Sequence, residues 1–196
     1  MSKGEATRAA ILEQAATMAS VHGLEGLSIG RLAARARLSK SGLFSHFGSK
    51  EALQQAVLGH VVDDFRTQVI VPALRAPSGV ERLTALFAAW LDWTTAEERR
   101  GGCPLLGASV ELDDRPGPLR DYLVDRQQAW LDCIARMAAK AVAEAAFRRQ
   151  LDTAQFAFQF NALGLGFNFA YRLLDDPEAR RRAERAFDAL LSSARA

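Results

Sequence analysis

Apolar positions along this chain recur mostly at steps of three and four, the period of a helix with one buried face. Ile11, Leu12, Ala15, Ala16 and Ala19 make such a stripe, which predicts a first helix over 5–22 closed by Gly23. Residues 1–4 read as a loose arm, and Lys3 and Arg8 as exposed cations that either reach phosphates or are simply solvated. Ile29, Leu32, Ala33 and Ala36 give a short second helix over 29–36, and Leu43 and Phe47 face inward from a third over 40–46. Ser28, Ser39 and Ser49 each stand just before one of the next three helical patterns, where a hydroxyl accepts from an unpaired N–H of the first turn.

The pattern continues to the C-terminus. Leu53, Val57, Val61 and Phe65 step by four along a long fourth helix, expected to run to Val71 and to stop at Pro72 and Pro77. Ser78-x-x-Glu81 is a capping box that opens a fifth helix. Leu83, Phe87, Trp90, Leu91 and Thr94 line one of its sides, Trp93 lies elsewhere, and the charged stretch 97–100 with Gly101-Gly102 ends it. Pro104 suits the first position of a sixth helix that holds Leu105, Leu106, Ala108, Val110 and Leu112. The seventh runs over 118–147 through Leu119, Leu123, Trp130, Ile134, Met137 and Ala141. An eighth, capped by Asp152, runs to about Leu174 and is apolar on more than one face. A ninth starts near Asp176-Pro177-Glu178 with Ala183, Phe187, Leu190 and Leu191 as its stripe. The fold class is all-α, about nine helices: an N-terminal three-helix domain over 1–48 and a larger C-terminal domain over 49–196, with the fourth helix as connector.

Only Arg37 and Leu38 separate the second helix from the third, and two short helices on such a turn are a helix-turn-helix, whose second helix normally enters the DNA major groove. Charge supports this. The 196 residues carry a net charge of only +2, but residues 1–50 hold seven Lys/Arg against three Asp/Glu, net +4, which leaves −2 for the rest. Arg31, Lys40 and Lys50 sit in first turns, where the helix dipole disfavours a cation unless an anion approaches from outside.

The run Ala36-Arg-Leu-Ser-Lys-Ser-Gly-Leu-Phe-Ser-His-Phe-Gly-Ser-Lys-Glu-Ala-Leu53, with Thr7, Arg8, Ile11, Leu12, Ala15, Gly23 and Ser28 upstream, resembles the tetracycline-repressor (TetR) family of bacterial transcription regulators. The likeness covers about the first 55 to 60 residues. Four positions depart from the usual pattern: Arg37 and Ser41 stand where glycine is common, Gly42 where Thr or Ser is common, and Phe44 where Tyr is common. Arg37 is therefore expected to hold a positive φ. The resemblance implies operator DNA as a partner, a homodimer through the eighth and ninth helices, and a small-molecule effector. His46 resembles the family histidine near DNA phosphates. Gly101-Gly-Cys-Pro-Leu and Glu111-Leu-Asp-Asp-Arg-Pro-Gly-Pro are similar to one subgroup of the family, with no effector attached.

The DNA-binding set is Ser28, Arg31, Arg37, Ser39, Lys40, Ser41, Gly42, Phe44, Ser45, His46 and Lys50. Of these, Ser28, Lys40, His46 and Lys50 are assigned to phosphates, and Arg37, Ser39, Ser41 and Ser45 to base edges. Large rings among glycines and alanines suggest a cavity for a mostly apolar ligand. Its lining is drawn from Phe65, Trp90, Trp93, Cys103, Leu106, Val110, Trp130, Ile134, Phe156 and Phe160, with Asn161, Asn168, Gln159 and Arg172 as polar candidates. Phe167, Leu174, Phe187 and Leu191 are expected in or beside the dimer contact. No catalytic or metal spacing stands out: His22, His46 and His60 make no i, i+4 pair, and Cys103 and Cys133 make no redox motif. No cofactor or enzymatic activity is expected, and a cytoplasmic location without membrane contact is. The function expected is a ligand-released repressor; the alternative is a constitutive or architectural DNA-binding dimer.

Overall fold

A computed structural model describes residues 3–96 and 101–195. The stretch 97–100, expected to end the fifth helix, lies outside the described residues, as do residues 1–2 of the expected arm and the Lys3 side chain. Ten α-helices appear among the described residues: α1 (Lys3–His22), α2 (Ile29–Arg35), α3 (Lys40–Phe47), α4 (Lys50–Phe65), α5 (Val71–Leu74), α6 (Gly79–Thr95), α7 (Pro104–Leu112), α8 (Pro118–Ala143), α9 (Thr153–Arg172) and α10 (Ala179–Ala194). They contain no strand, only one isolated antiparallel bridge between Phe147 and Arg195.

The predicted caps form. Ser28 Oγ accepts from Arg31 N at 3.4 Å, Ser39 Oγ from Gly42 N at 3.0 Å and Ser49 Oγ from Ala52 N at 3.0 Å. At the start of α6, Glu81 N donates to Ser78 Oγ at 3.2 Å while Ser78 N donates to Glu81 Oε2 at 3.1 Å, a reciprocal capping box. Asp152 Oδ1 accepts from Ala154 N and Gln155 N.

Three boundaries differ from expectation. α1 begins at Lys3, so positions 3 and 4 of the expected arm are helical. Pro72 does not stop the fourth helix. Arg66–Ile70 winds as a π-helical turn in which Val71 N donates to Arg66 O, and the chain then continues as α5 with Pro72 in its first turn. The re-phased ladder puts the proline where its missing N–H is not required. α8 ends at Ala143, not Phe147, because Ala145 turns to φ +56 and the chain leaves the helix.

The chain forms two compact units, Met1–Asp64 with Ala96–Asp125, and Phe65–Thr95 with Arg126–Ala196. This cut differs from the functional division expected at residue 48, because most of α4, all of α7 and the first part of α8 belong with the helix-turn-helix. In the first unit, Ile11, Ala15, Leu32, Leu43, Leu53 and Val57 are among the residues that close one core, to which Ala108, Leu112, Leu119 and Leu123 also contribute. The second unit is built on α6, α9, α10 and the later part of α8, and its core is aromatic: Phe87, Phe156 and Phe160 are almost wholly buried.

Candidate functional site

In the first unit, the turn between α2 and α3 takes the form the sequence requires. Leu38 N donates to Ala33 O at 2.9 Å and Arg37 N to Ala34 O at 3.2 Å, the paired bonds of a Schellman closure. Its left-handed residue is Arg37, at φ +54. Ser39 follows in extended geometry and starts α3. Leu32, Ala33 and Leu43 are buried and anchor the pair. On the other side, Arg31, Arg37, Ser39, Lys40, Ser41, Phe44 and Ser45 are all exposed, with Phe44 at 43%. The stem of Lys40 lies over Gly30, whose Cβ would stand 3.5 Å from the lysine Cε. α2 and α3 thus present a contiguous face of hydroxyls, cations and one ring, on a rigid apolar backing.

The small side chains on this face are ordered by their neighbours. Ser39 and Ser41 hydroxyls share a hydrogen bond at 3.0 Å, and Ser45 Oγ donates to Gly42 O at 2.7 Å. Ser45 therefore faces outward mainly as an acceptor. A side chain at Gly42 would crowd the cap, with its Cβ 3.2 Å from Ser39 Oγ. Ser28 and His46 are half-buried beside the face. The Arg8 guanidinium lies over the Phe47 ring at 4.8 Å, a contact that tethers α1 to α3. Lys50 is placed differently from the expectation of a phosphate contact. Its Nζ donates to Glu25 O at 3.0 Å and stands 3.4 Å from Glu25 Oε2. Burial raises the Glu25 pKa, but Lys50, Gln54 and Arg115 outweigh it and hold the carboxyl below its ordinary value.

The expected ligand-lining residues fall into both units. Cys103, Leu106 and Val110 belong to the first, and Val110 is 69% exposed because it points away from the buried Ala108 and Leu112. Phe65, Trp90, Trp93, Trp130, Ile134, Phe156 and Phe160 belong to the second and are buried there. Phe65 meets Trp93 and Trp130 edge to face at 5.0 and 5.1 Å. Trp130 meets Trp90 at 5.2 Å, and Trp90 lies parallel to Phe160 at 6.2 Å. Trp90 also rests on bare backbone: a Cβ at Gly164 would sit 2.0 Å from the indole. Phe156 instead pairs with Phe147 at 5.5 Å. Of the polar candidates on α9, Asn161 Oδ1 accepts from Trp130 Nε1 at 3.0 Å, Asn168 Oδ1 is buried without a partner, and Gln159 and Arg172 are exposed.

Three of the four residues expected in or beside the dimer contact are buried within their own unit. Phe187 stacks on Phe87 at 4.4 Å and meets Phe160 edge to face, and Phe187, Leu191 and Phe167 are all buried within the unit, leaving only Leu174 exposed. α10 has a single apolar side, opposite a charged one that includes Arg181, Arg182, Glu184, Arg185 and Asp188, so its own unit consumes it. α9 has two apolar sides. Phe156, Phe160 and Phe167 turn inward; Phe158, Leu165, Phe169 and Leu173 remain outside at 65%, 38%, 53% and 71% exposure. Their spacing of seven, four and four residues keeps them on one helix face. Phe87 and Phe187, each placed on an apolar stripe by its helical spacing, also belong to the aromatic cluster, a pairing that spacing within one helix does not reveal.

Residues 11–57 match the family model for bacterial regulatory proteins of the tetR family, and residues 79–187 match that for the tetracyclin repressor-like C-terminal domain. An HTH-type transcriptional repressor from Streptomyces coelicolor is 34% identical over 85 residues, 43% of this chain and 44% of that protein, so the match spans less than half of that relative's length. The crystal structure of a TetR transcriptional regulator from Chloroflexus aurantiacus is similar at TM-score 0.87 and 26% identity, covering 98% of this chain and 96% of that one. AibR in complex with isovaleryl coenzyme A and operator DNA is similar at TM-score 0.73 and 26% identity, covering 96% and 97%. Two domain models in the expected order, over the residues that build the helix-turn-helix and the aromatic core, lead to one conclusion: the chain belongs to the TetR family of bacterial regulatory proteins.

Proposed function

We propose that this chain is a sequence-specific DNA-binding repressor that acts as a homodimer in the cytoplasm and is released from its operator by a small, mostly apolar ligand. The observation that carries the DNA reading is the exposed face of α2 and α3, where Arg31, Arg37, Ser39, Lys40, Ser41 and Ser45 stand over a buried apolar backing. Cations supply affinity through phosphates, and the short polar side chains at the start of α3 are suited to base edges. The experiment is selection of bound duplexes from a random pool, followed by affinity against salt. A recovered consensus with a steep salt dependence supports the reading; equal binding to all sequences refutes it.

The proposed dimer contact is the outer face of α9, where Phe158, Leu165, Phe169 and Leu173 meet the same face of a second copy. The proposed ligand site is the ring cluster around Phe65, Trp90 and Trp130. Phe65 is the last residue of α4, so a molecule that displaces its ring moves the end of that helix. Such a ligand must bind the released form better than the DNA-bound one, because equal affinity shifts nothing. A relative crystallised with isovaleryl coenzyme A makes short-chain acyl thioesters the first probes. Operator affinity and tryptophan fluorescence are followed together; a probe that quenches fluorescence yet leaves operator affinity unchanged counts against the coupling. One observation favours the second reading, a constitutive dimer: the rings of Trp90, Trp130 and Phe160 already fill one another's space, so a ligand must open a packed core.

A further inference from the structure

The segments Gly101-Gly-Cys-Pro-Leu and Glu111-Leu-Asp-Asp-Arg-Pro-Gly-Pro take no part in the reading above, yet the structure sets Gly101 against the end of α1 and Glu111 and Arg115 against the turn that follows it. α1 ends at His22, and Gly23 at φ +74 reverses the chain. The next two backbone amides donate to one carboxylate: Leu24 N to Glu111 Oε1 at 3.1 Å, and Glu25 N to Glu111 Oε2 at 3.0 Å. Glu111 lies on α7, 87 and 86 residues further along the chain. The approach is close. A Cβ on Gly23 would stand 1.9 Å from Glu111 Oε1, and one on Gly101 would stand 1.9 Å from the Ser20 carbonyl. α4 and the α7–α8 loop hold the same turn. Gln54 Nε2, on a residue 4% exposed, donates to Leu24 O at 2.9 Å, and Lys50 Nζ donates to Glu25 O at 3.0 Å. Arg115 stands 3.6 Å from the Glu25 carboxylate.

We propose that Glu111 is a positioning residue for DNA recognition: its two-oxygen clamp fixes the 23–25 turn and so sets how α2 and α3 are presented. This rests on the DNA-binding reading above. The turn precedes the Ser28 cap by three residues, so freedom to pivot at Gly23 would pass directly into α2. Three elements fix it: α7 through the Leu24 and Glu25 amides, α4 through the Leu24 and Glu25 carbonyls, and α4 together with the α7–α8 loop through the Glu25 side chain. A carboxylate suits the position because both its oxygens accept, and bonds to an ionised acceptor are the stronger kind. A glutamine there keeps one acceptor and turns an NH2 toward the other N–H, donor against donor. α7 also lies within the residues that match the C-terminal family model, so the clamp attaches a helix of that region to the turn that leads into the helix-turn-helix. A head held in its reading geometry before it meets DNA avoids the entropy of ordering it there.

The test compares wild type with Glu111→Gln and, as a milder change that keeps the charge but is one methylene short, Glu111→Asp. Hydrogen exchange reads the clamp, and the affinity and salt slope for the duplex that wild type selects from a random pool read its role. For Glu111→Gln, exchange at the Leu24 and Glu25 amides should quicken about tenfold or more while Leu32 and Leu53 are unaffected, as loss of one charge-assisted bond implies. The dissociation constant for the selected duplex should rise by a similar factor at unchanged salt slope, since no phosphate contact is lost. Glu111→Asp should fall between, and carries the comparison by itself if the glutamine variant does not fold. Faster exchange with unchanged affinity overturns the positioning role. Unchanged exchange in both variants overturns the clamp. If wild type selects no duplex, the DNA reading falls and takes the positioning role with it, a result distinct from either of the others.

Discussion

Charging Phe169 and charging Phe187 should have opposite consequences, although both are phenylalanines on the two C-terminal helices. Phe169 is 53% exposed on the outer face of α9; Phe187 is 4% exposed and stacked on Phe87. A phenylalanine offers about 200 Å² to burial, so the exposed half of Phe169 leaves about 100 Å² for a partner to cover. At about 25 cal/mol per Å² that is about 2.5 kcal/mol per copy, and about 5 kcal/mol for the two copies that a two-fold interface brings together. Ordering of side chains offsets part of this, so Phe169→Ala should weaken dimerisation by a factor on the order of 10² to 10³. Phe169→Asp adds the cost of taking a carboxylate out of water and should give a folded monomer at micromolar concentration. Phe187→Asp places the same charge inside the aromatic core, where truncating a phenylalanine alone costs about 3–5 kcal/mol. It should lower the melting temperature sharply before association is affected. Sedimentation velocity reads the association state, and near-ultraviolet dichroism with thermal melting reads the core. A Phe169→Asp protein that remains a dimer of undiminished affinity refutes the assignment of this face. So does a Phe187→Asp protein that is monomeric and fully stable.

Lys40 is exposed and its stem lies across Gly30, so Lys40→Ala should weaken binding to all duplexes alike and lower the salt slope by about one unit; loss of preference at a single base pair would contradict a phosphate role. Arg37→Gly removes the strain of a non-glycine at φ +54, about 1–2 kcal/mol, and should raise the melting temperature by several degrees while weakening DNA binding. A melting temperature that falls would show that the Arg37 side chain stabilises the turn more than its backbone strains it. The Glu25 carboxyl has a folded pKa below its ordinary value, so its contribution is whole above about pH 5 and is lost as pH falls from about 4.3 through the folded value. The melting temperature of Glu25→Gln should therefore lie below that of wild type near neutrality and converge with it in acid; a gap that widens in acid would reverse the sign.

The helix-turn-helix was legible because what builds it is local. Ser39 caps an amide three residues away, and Arg37 closes α2 by bonds that reach back no more than five residues. Such bonds depend on residue type and spacing, so the three serine caps and the capping box of α6 could be read before any tertiary contact was known, while the positive φ at Arg37 followed from the family resemblance, which puts this residue where a turn glycine is common. Periodicity also showed that α9 is apolar on more than one side. It could not say which side its own unit covers, because that depends on residues up to 100 positions away: Phe87 claims Phe187, and the outer stripe of Phe158, Leu165, Phe169 and Leu173 is what remains. Lys50 is the same case. Its place in a first turn suggested an anion from outside, but the fold brings Glu25, 25 residues back, within reach of the same ammonium. The Glu111 clamp lies furthest from the sequence. Two amides are left without main-chain partners by a glycine turn, and the carboxylate that accepts from them arrives from a helix 86 residues on. Local propensity and capping chose the helices and their ends. Which apolar face found cover, and which charge found which partner, was decided by packing, since a period of 3.6 tells where a side chain points but not what stands opposite it.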